Sequence, residues 1–156
     1  MYNAFCICLV NSRGSIDSLI FIYNAVINKI QDLSQELSKT TEVKAAYCKL
    51  YPVNGYGDPK ILRSVIEQEK PDALVHFTDP RYWIWLYQME NEIRQQCPLV
   101  FYTIWDDLPY PMWNREFYRS DDMLLCISKQ TKNIVENVLR DHPKEDIHYV
   151  KKNMIL

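Results

Sequence analysis

Asp72-Ala-Leu-Val-His-Phe-Thr-Asp-Pro-Arg-Tyr-Trp83 and Pro98-Leu-Val-Phe-Tyr-Thr-Ile-Trp-Asp-Asp107 are the two stretches that decide the fold. Each is a short apolar run that stops abruptly at polar, acidic side chains. A strand buried on both faces of a parallel sheet reads this way, because helices cover its sides and only its ends meet water. In an open α/β sheet, ligands bind beyond the carboxyl ends of such strands. Any chemistry is therefore expected where the predicted strands Ala73 to Phe77 and Leu99 to Trp105 end.

The same alternation continues outward in both directions. Ala4 to Val10 is an apolar run of strand length, and Asn11-Ser-Arg-Gly-Ser breaks it. Ser15 can cap a long amphipathic helix running to about Ser38, since Ile16, Leu19, Ile20, Tyr23, Ile27, Ile30, Leu33 and Leu37 recur at spacings of three and four. A second strand is expected from Val43 to Leu50, followed by a turn-rich loop. Asp58 and Pro59 then open a helix that Lys70-Pro71 stops. Between the two deciding strands the sequence predicts one aromatic helix from about Pro80 to Gln96. Beyond them it predicts a strand from Met123 to Ile127, a helix from about Lys129 to Leu139 capped by Ser128, and a short strand from Ile147 to Val150. Strands separated by helices imply crossover connections. The expected fold is α/β: one Rossmann-like domain over residues 1–156, an open, mostly parallel sheet with helices on both faces.

Composition narrows the function. The chain has 156 residues, 18 basic and 20 acidic, so its net charge of −2 provides no field for nucleic acid. Apolar runs fall short of the roughly 18 to 20 residues a membrane helix requires, and the N-terminus lacks a signal-peptide pattern. A soluble, cytoplasmic protein is expected. Five cysteines, an odd number dispersed along the chain, suit reduced core residues better than a disulfide framework. Cys6 and Cys8 share a strand face but have no further ligands nearby, so no metal site is read from them.

Four segments in order carry a resemblance: Tyr56-Gly-Asp, Glu69-Lys-Pro-Asp-Ala-Leu-Val-His-Phe-Thr-Asp-Pro-Arg81, Thr103-Ile-Trp-Asp-Asp107 and Leu125-Cys-Ile-Ser-Lys-Gln-Thr131. Together they resemble the N-terminal, acceptor-side domain of a family 4 type glycosyltransferase with the two-domain GT-B fold, of bacterial or phage type. The resemblance spans about Val53 to Leu139. It implies transfer of a sugar from a nucleotide-sugar donor, a co-substrate of the complete enzyme, to a hydroxyl-bearing acceptor held on this domain. The donor would be bound mainly by a C-terminal domain, and a chain stopping at Lys152-Asn-Met-Ile-Leu156 reads as truncated before it, inactive alone, with no cofactor of its own. Many relatives carry a histidine at the strand end where this chain has Trp105-Asp-Asp, so no histidine role transfers to that position.

The candidate catalytic residues are Asp106, Asp107 and His76; the candidate acceptor-binding residues are Asp79, Arg81, Tyr82 and Trp105. Neighbouring carboxylates at a strand end can serve as a base or bind a hydroxyl-rich acceptor, but Asp106-Asp107 before Pro109 also suits a plain turn. His76 in an apolar strand is either a base or a hydrogen-bonded core residue. Asp79 before Pro80 either binds acceptor or caps the next helix. Arg81 is alternatively solvated or ion-paired. The aromatic run Tyr82 to Met89 reads as core, with Tyr82 or Trp83 at the cleft. The alternative function is a non-catalytic Rossmann-like module that holds a small ligand or a partner, since one fold hosts many functions.

Overall fold

The computed structural model describes residues 6–11, 18–23, 48–52, 56–77 and 79–150. They fall into two compact units, divided inside one strand between Val75 and His76.

The first unit contains strands β1 (Cys6–Asn11), β2 (Ser18–Tyr23) and β3 (Cys48–Pro52) and helix α1 (Pro59–Glu69). β2 corrects the sequence reading, which placed residues 18–23 in a helix. It pairs antiparallel with β1 over six residues, from Cys6 opposite Tyr23 to Asn11 opposite Ser18, and parallel with β3. The physical reason lies in Leu19-Ile-Phe-Ile-Tyr23, an unbroken β-branched and aromatic run that satisfies helical spacing by being apolar everywhere. Such runs fit the pleated surface of a sheet better than a helix. The remainder of the expected helix, residues 24–38, lies outside the described residues, as do residues 43–47 of the second expected strand.

α1 forms as its sequence dictates. The Asp58 carboxylate accepts from the backbone N–H of Lys60 and Ile61 at 2.7 and 3.1 Å, and Pro59 occupies the first turn, where no donor is lost. Leu62, Val65 and Ile66, spaced three and one apart, are its buried face. It ends at Lys70 in the left-handed region (φ 46°), whose N–H returns to the Ile66 carbonyl. The Tyr51 hydroxyl on β3 donates to Glu69 in the last turn.

β4 (Ala73–Phe77) carries the chain into the second unit, where β4, β5 (Leu99–Thr103), β6 (Met123–Cys126) and β7 (Ile147–Tyr149) lie in that order in an all-parallel arrangement. This is an open α/β, Rossmann-like fold. β5 pairs with β6 from Val100 opposite Met123 to Thr103 opposite Cys126, and β6 with β7 from Leu124 opposite Ile147. Between β4 and β5 the expected continuous helix is broken. A 3-10 turn (Pro80–Trp83) leads into α2 (Ile84–Gln88), a turn at Met89, and α3 (Glu90–Arg94). The break lets Trp83, Leu86, Tyr87, Met89 and Ile93 all face inward, more apolar surface than one stripe of a straight helix presents. After β5 come a second 3-10 turn (Met112–Asn114) and α4 (Arg115–Ser120), and α5 (Lys129–Val138) packs on β6 and β7.

The Ser128 hydroxyl caps α5 by accepting from Thr131 N–H at 3.0 Å, and Thr131, Ile134, Val135 and Val138 form its buried stripe. Val135 and Val138 of that stripe join Phe101, Tyr118, Leu124, Cys126, Leu139 and Ile147 in one core. At 25 cal/mol per Å², burying each large apolar side chain stabilises the fold by roughly 1.5–3 kcal/mol. Cys126 is a fully buried thiol, as a core cysteine should be. No helix among the described residues is long and apolar enough to cross a membrane.

Candidate functional site

β5 stops at Thr103, two residues earlier than its sequence suggested, and the chain leaves the sheet through Ile104, Trp105, Asp106 and Asp107. These residues, with Asp79 and Pro80 from the segment after β4 and Asn114 from the second 3-10 turn, line an open cleft of about 330 Å³ floored by Phe101 and Thr103. It lies at the carboxyl end of a parallel strand, where the fold class puts ligands. Four of the seven sequence candidates meet there: Asp79, Trp105, Asp106 and Asp107.

Their local bonding differentiates them. Asp79 accepts from the backbone N–H of Arg81 at 3.0 Å, capping the first 3-10 turn, and is forked by the Arg81 guanidinium, with Nε 2.9 Å from Oδ1. Hydrogen bonding from Arg81 holds its carboxyl below the ordinary value, against partial burial. Both readings of Asp79 therefore coexist, since a capping carboxylate also lines the cleft. Arg81 is half exposed and lies over the Trp113 ring at 5.8 Å, within cation–π range. Trp113 in turn meets Trp105 edge to face, with ring centroids 5.5 Å apart. Trp105 is fixed from its other side, its Nε1 donating to the Asp107 carbonyl at 2.9 Å. The result is an aromatic wall braced by a cation, with Trp113 still 46% exposed.

Of the paired carboxylates, Asp107 accepts from the N–H of the next residue, Leu108, at 2.7 Å. Asp106 is held by its backbone instead: the Gln130 side chain on α5 donates to its carbonyl at 2.7 Å. Among the described residues no group donates to the Asp106 carboxylate, and both side chains are exposed. Asp106 is thus the carboxylate with most capacity to spare for a ligand.

Three candidates are not brought to the cleft in the same way. Tyr82 is 52% exposed on the 3-10 turn and outside the lining, and Arg81 reaches the site only through Asp79 and Trp113. His76 is 0% exposed, packed against Trp83, Tyr87 and Phe101. Strand alternation explains this: Leu74 and His76 share the buried face of β4. Its Nδ1 is 2.9 Å from the Tyr87 hydroxyl, and its Nε2 has no partner. Burial drives its pKa down from 6.5 to about 3, with the Asp79 charge opposing weakly, so it is a neutral core residue at any physiological pH.

The Tyr87 hydroxyl donates a long bond, 3.4 Å, to Asp121, which is itself buried and lines a second, more polar hollow of about 410 Å³ with Arg94, Lys144 and His142. That hollow lies at the amino ends of β6 and β7. Desolvation raises the Asp121 pKa well above the ordinary carboxyl value. His76, Tyr87 and Asp121 form a buried polar thread through the unit.

Asn114 is the cleft residue that sequence reasoning missed. It is 2% exposed; its Nδ2 donates to the Tyr118 hydroxyl at 3.4 Å, which lies 3.5 Å from the Thr103 hydroxyl, while Oδ1 has no partner. The one signal for it in the sequence is the Pro109-Tyr-Pro-Met-Trp113 run just after a strand, which marks an ordered loop rather than a solvated one. Comparison of the chain with known protein families, with curated proteins and with solved structures finds no match.

Proposed function

We propose that the chain is the acceptor-side domain of a glycosyltransferase and that the cleft beyond β5 binds a sugar or another hydroxyl-bearing acceptor. The observation that carries this reading is the convergence of Asp106 and Asp107 with the Trp105–Trp113 wall around one open cleft. Carbohydrates present hydroxyl donors at their edges and weakly apolar C–H faces, and carboxylates beside indole rings complement both. Asp106 is the residue assigned to the reacting hydroxyl. The acceptor oxygen bonds to the anomeric carbon of a nucleotide sugar, the nucleoside diphosphate leaves with the electron pair of the broken C–O bond, and the hydroxyl proton passes to Asp106. The donor and its phosphates belong to a second domain in this reading. Catalysis then requires both reactants to be held in register between the two.

A second reading, a non-catalytic ligand-binding module using the same cleft, is favoured by one fact: His76, a candidate base, is sealed in the core. The two separate experimentally. Saturation-transfer NMR of this chain with methyl glycosides tests the cleft, and Asp106→Asn tests its carboxylate. Contact to a glycoside that weakens in Asp106→Asn supports the acceptor site. Supplying the chain with a nucleotide-sugar-binding partner domain and finding transfer that Asp106→Asn abolishes favours the enzyme; binding with no transfer favours the module. Absence of any glycoside contact in the folded chain would sink the acceptor-site reading.

A further inference from the structure

We infer that the cleft selects uncharged sugars and rejects anionic ones, with Asn114 accepting one ligand hydroxyl, an inference that rests on the carbohydrate reading above. It follows from a donor and acceptor count at the cleft. The Asn114 amide is oriented by its Nδ2 bond to Tyr118, leaving Oδ1 as its unpartnered end. A carbonyl oxygen only accepts. Buried acceptors without a donor are few in folded proteins and costly, so a donor arriving from the cleft repairs a standing deficit. The Asp106 carboxylate has no donor among the described residues, and Asp107 uses one oxygen on Leu108 N–H and keeps acceptor capacity at the other. All three groups therefore ask the ligand for hydrogens. A sugar hydroxyl supplies them; a phosphate or uronate brings further acceptors and negative charge.

Charge points the same way. Asp79 and Arg81 are paired through Nε and Nη2 of the guanidinium, so the Arg81 charge is already matched by a carboxylate. Asp106 and Asp107 stand without a cation across the cleft among the described residues. Unit charges some 4 Å apart in water discriminate about fivefold each. An anionic group beside both carboxylates is therefore disfavoured by at least tenfold.

The test uses residues 1–156 and pairs of probes: methyl glycosides, and the 6-phosphate and uronate counterparts of each. We expect at least one neutral glycoside to bind at least tenfold more tightly than its anionic counterparts. The double variant Asp106→Asn, Asp107→Asn, altering two exposed side chains, should shrink that ratio to about twofold or less. Asn114→Leu should weaken the neutral glycoside about tenfold, with the milder Asn114→Ser replacing it should the leucine variant lose its fold by near-UV circular dichroism. Equal affinity for neutral and anionic probes, or a ratio untouched by the double variant, overturns the selectivity. An unchanged affinity in a folded Asn114 variant overturns the role of Asn114. Both results leave the carbohydrate reading standing, whereas failure of every sugar, neutral or charged, overturns that reading and this inference with it.

Discussion

Acidification should weaken the second unit through His76, and the size of that contribution is set by the burial of one imidazole. In the folded chain its pKa is about 3, against 6.5 when solvated. The sign follows directly: as pH falls, the unfolded chain takes up the proton first, so stability is fully present above pH 6.5 and is lost progressively toward pH 3. At 1.36 kcal/mol per pKa unit, the whole shift from 6.5 to about 3 corresponds to roughly 5 kcal/mol. By pH 5 the same linkage removes about 2 kcal/mol, a large part of the 5–15 kcal/mol of a typical domain. All four tryptophans, Trp83, Trp85, Trp105 and Trp113, lie in this unit, so urea unfolding followed by tryptophan fluorescence reports on it selectively. His76→Gln removes the titrating group. It will lower stability at every pH by disturbing the Tyr87 contact, but the difference between pH 7.5 and pH 5 should shrink by about 2 kcal/mol relative to wild type. An identical pH dependence in the two proteins, or an NMR titration placing His76 near pH 6 or above in the folded state, would refute the reasoning.

Two further outcomes follow from the same unit. Asp121 has a folded pKa raised by burial, so it favours the fold at low pH and that contribution is lost as pH rises through the raised value; Asp121→Asn should therefore gain stability relative to wild type on going from pH 4 to pH 8, measured by thermal melts across that range. Ser128→Ala removes the cap of α5 and leaves the Thr131 N–H without its bond, costing about 1 kcal/mol in urea unfolding, whereas Ser128→Asp, which keeps an acceptor there, should cost much less.

The sequence was most legible where local chemistry fences an element on both sides. β4 lies between Pro71 and Asp79-Pro80, and its bounds coincide with the expectation; α1 lies between a capping Asp58-Pro59 and Lys70-Pro71, with the same result. It was least legible where an apolar run lacks fences. Leu19 to Tyr23 supports helix or strand equally by spacing, and pairing with β1 and β3 decides it. The segment after Pro80 has neither glycine nor proline to announce the turn at Met89, which arises because too many of its side chains seek the interior for one helical face.

The cleft divides along the same line. Asp106 and Asp107 could be found because a strand end followed by carboxylates is a local pattern, and Trp105 came with them. Of the two readings of His76, the core one matches its burial, for a reason the sequence already contained: period-two alternation ties it to Leu74, on the buried face of β4. Asn114 could not be found this way, because its meaning depends on Tyr118 four residues on, whose hydroxyl accepts from the amide and in turn meets the Thr103 hydroxyl. A residue whose role is created by tertiary neighbours leaves no periodic trace. The consequence reaches the function: the groups legible in sequence supply charge to the cleft, while Asn114, which the fold alone reveals, supplies the fixed, buried acceptor on which geometric selectivity among uncharged ligands would depend.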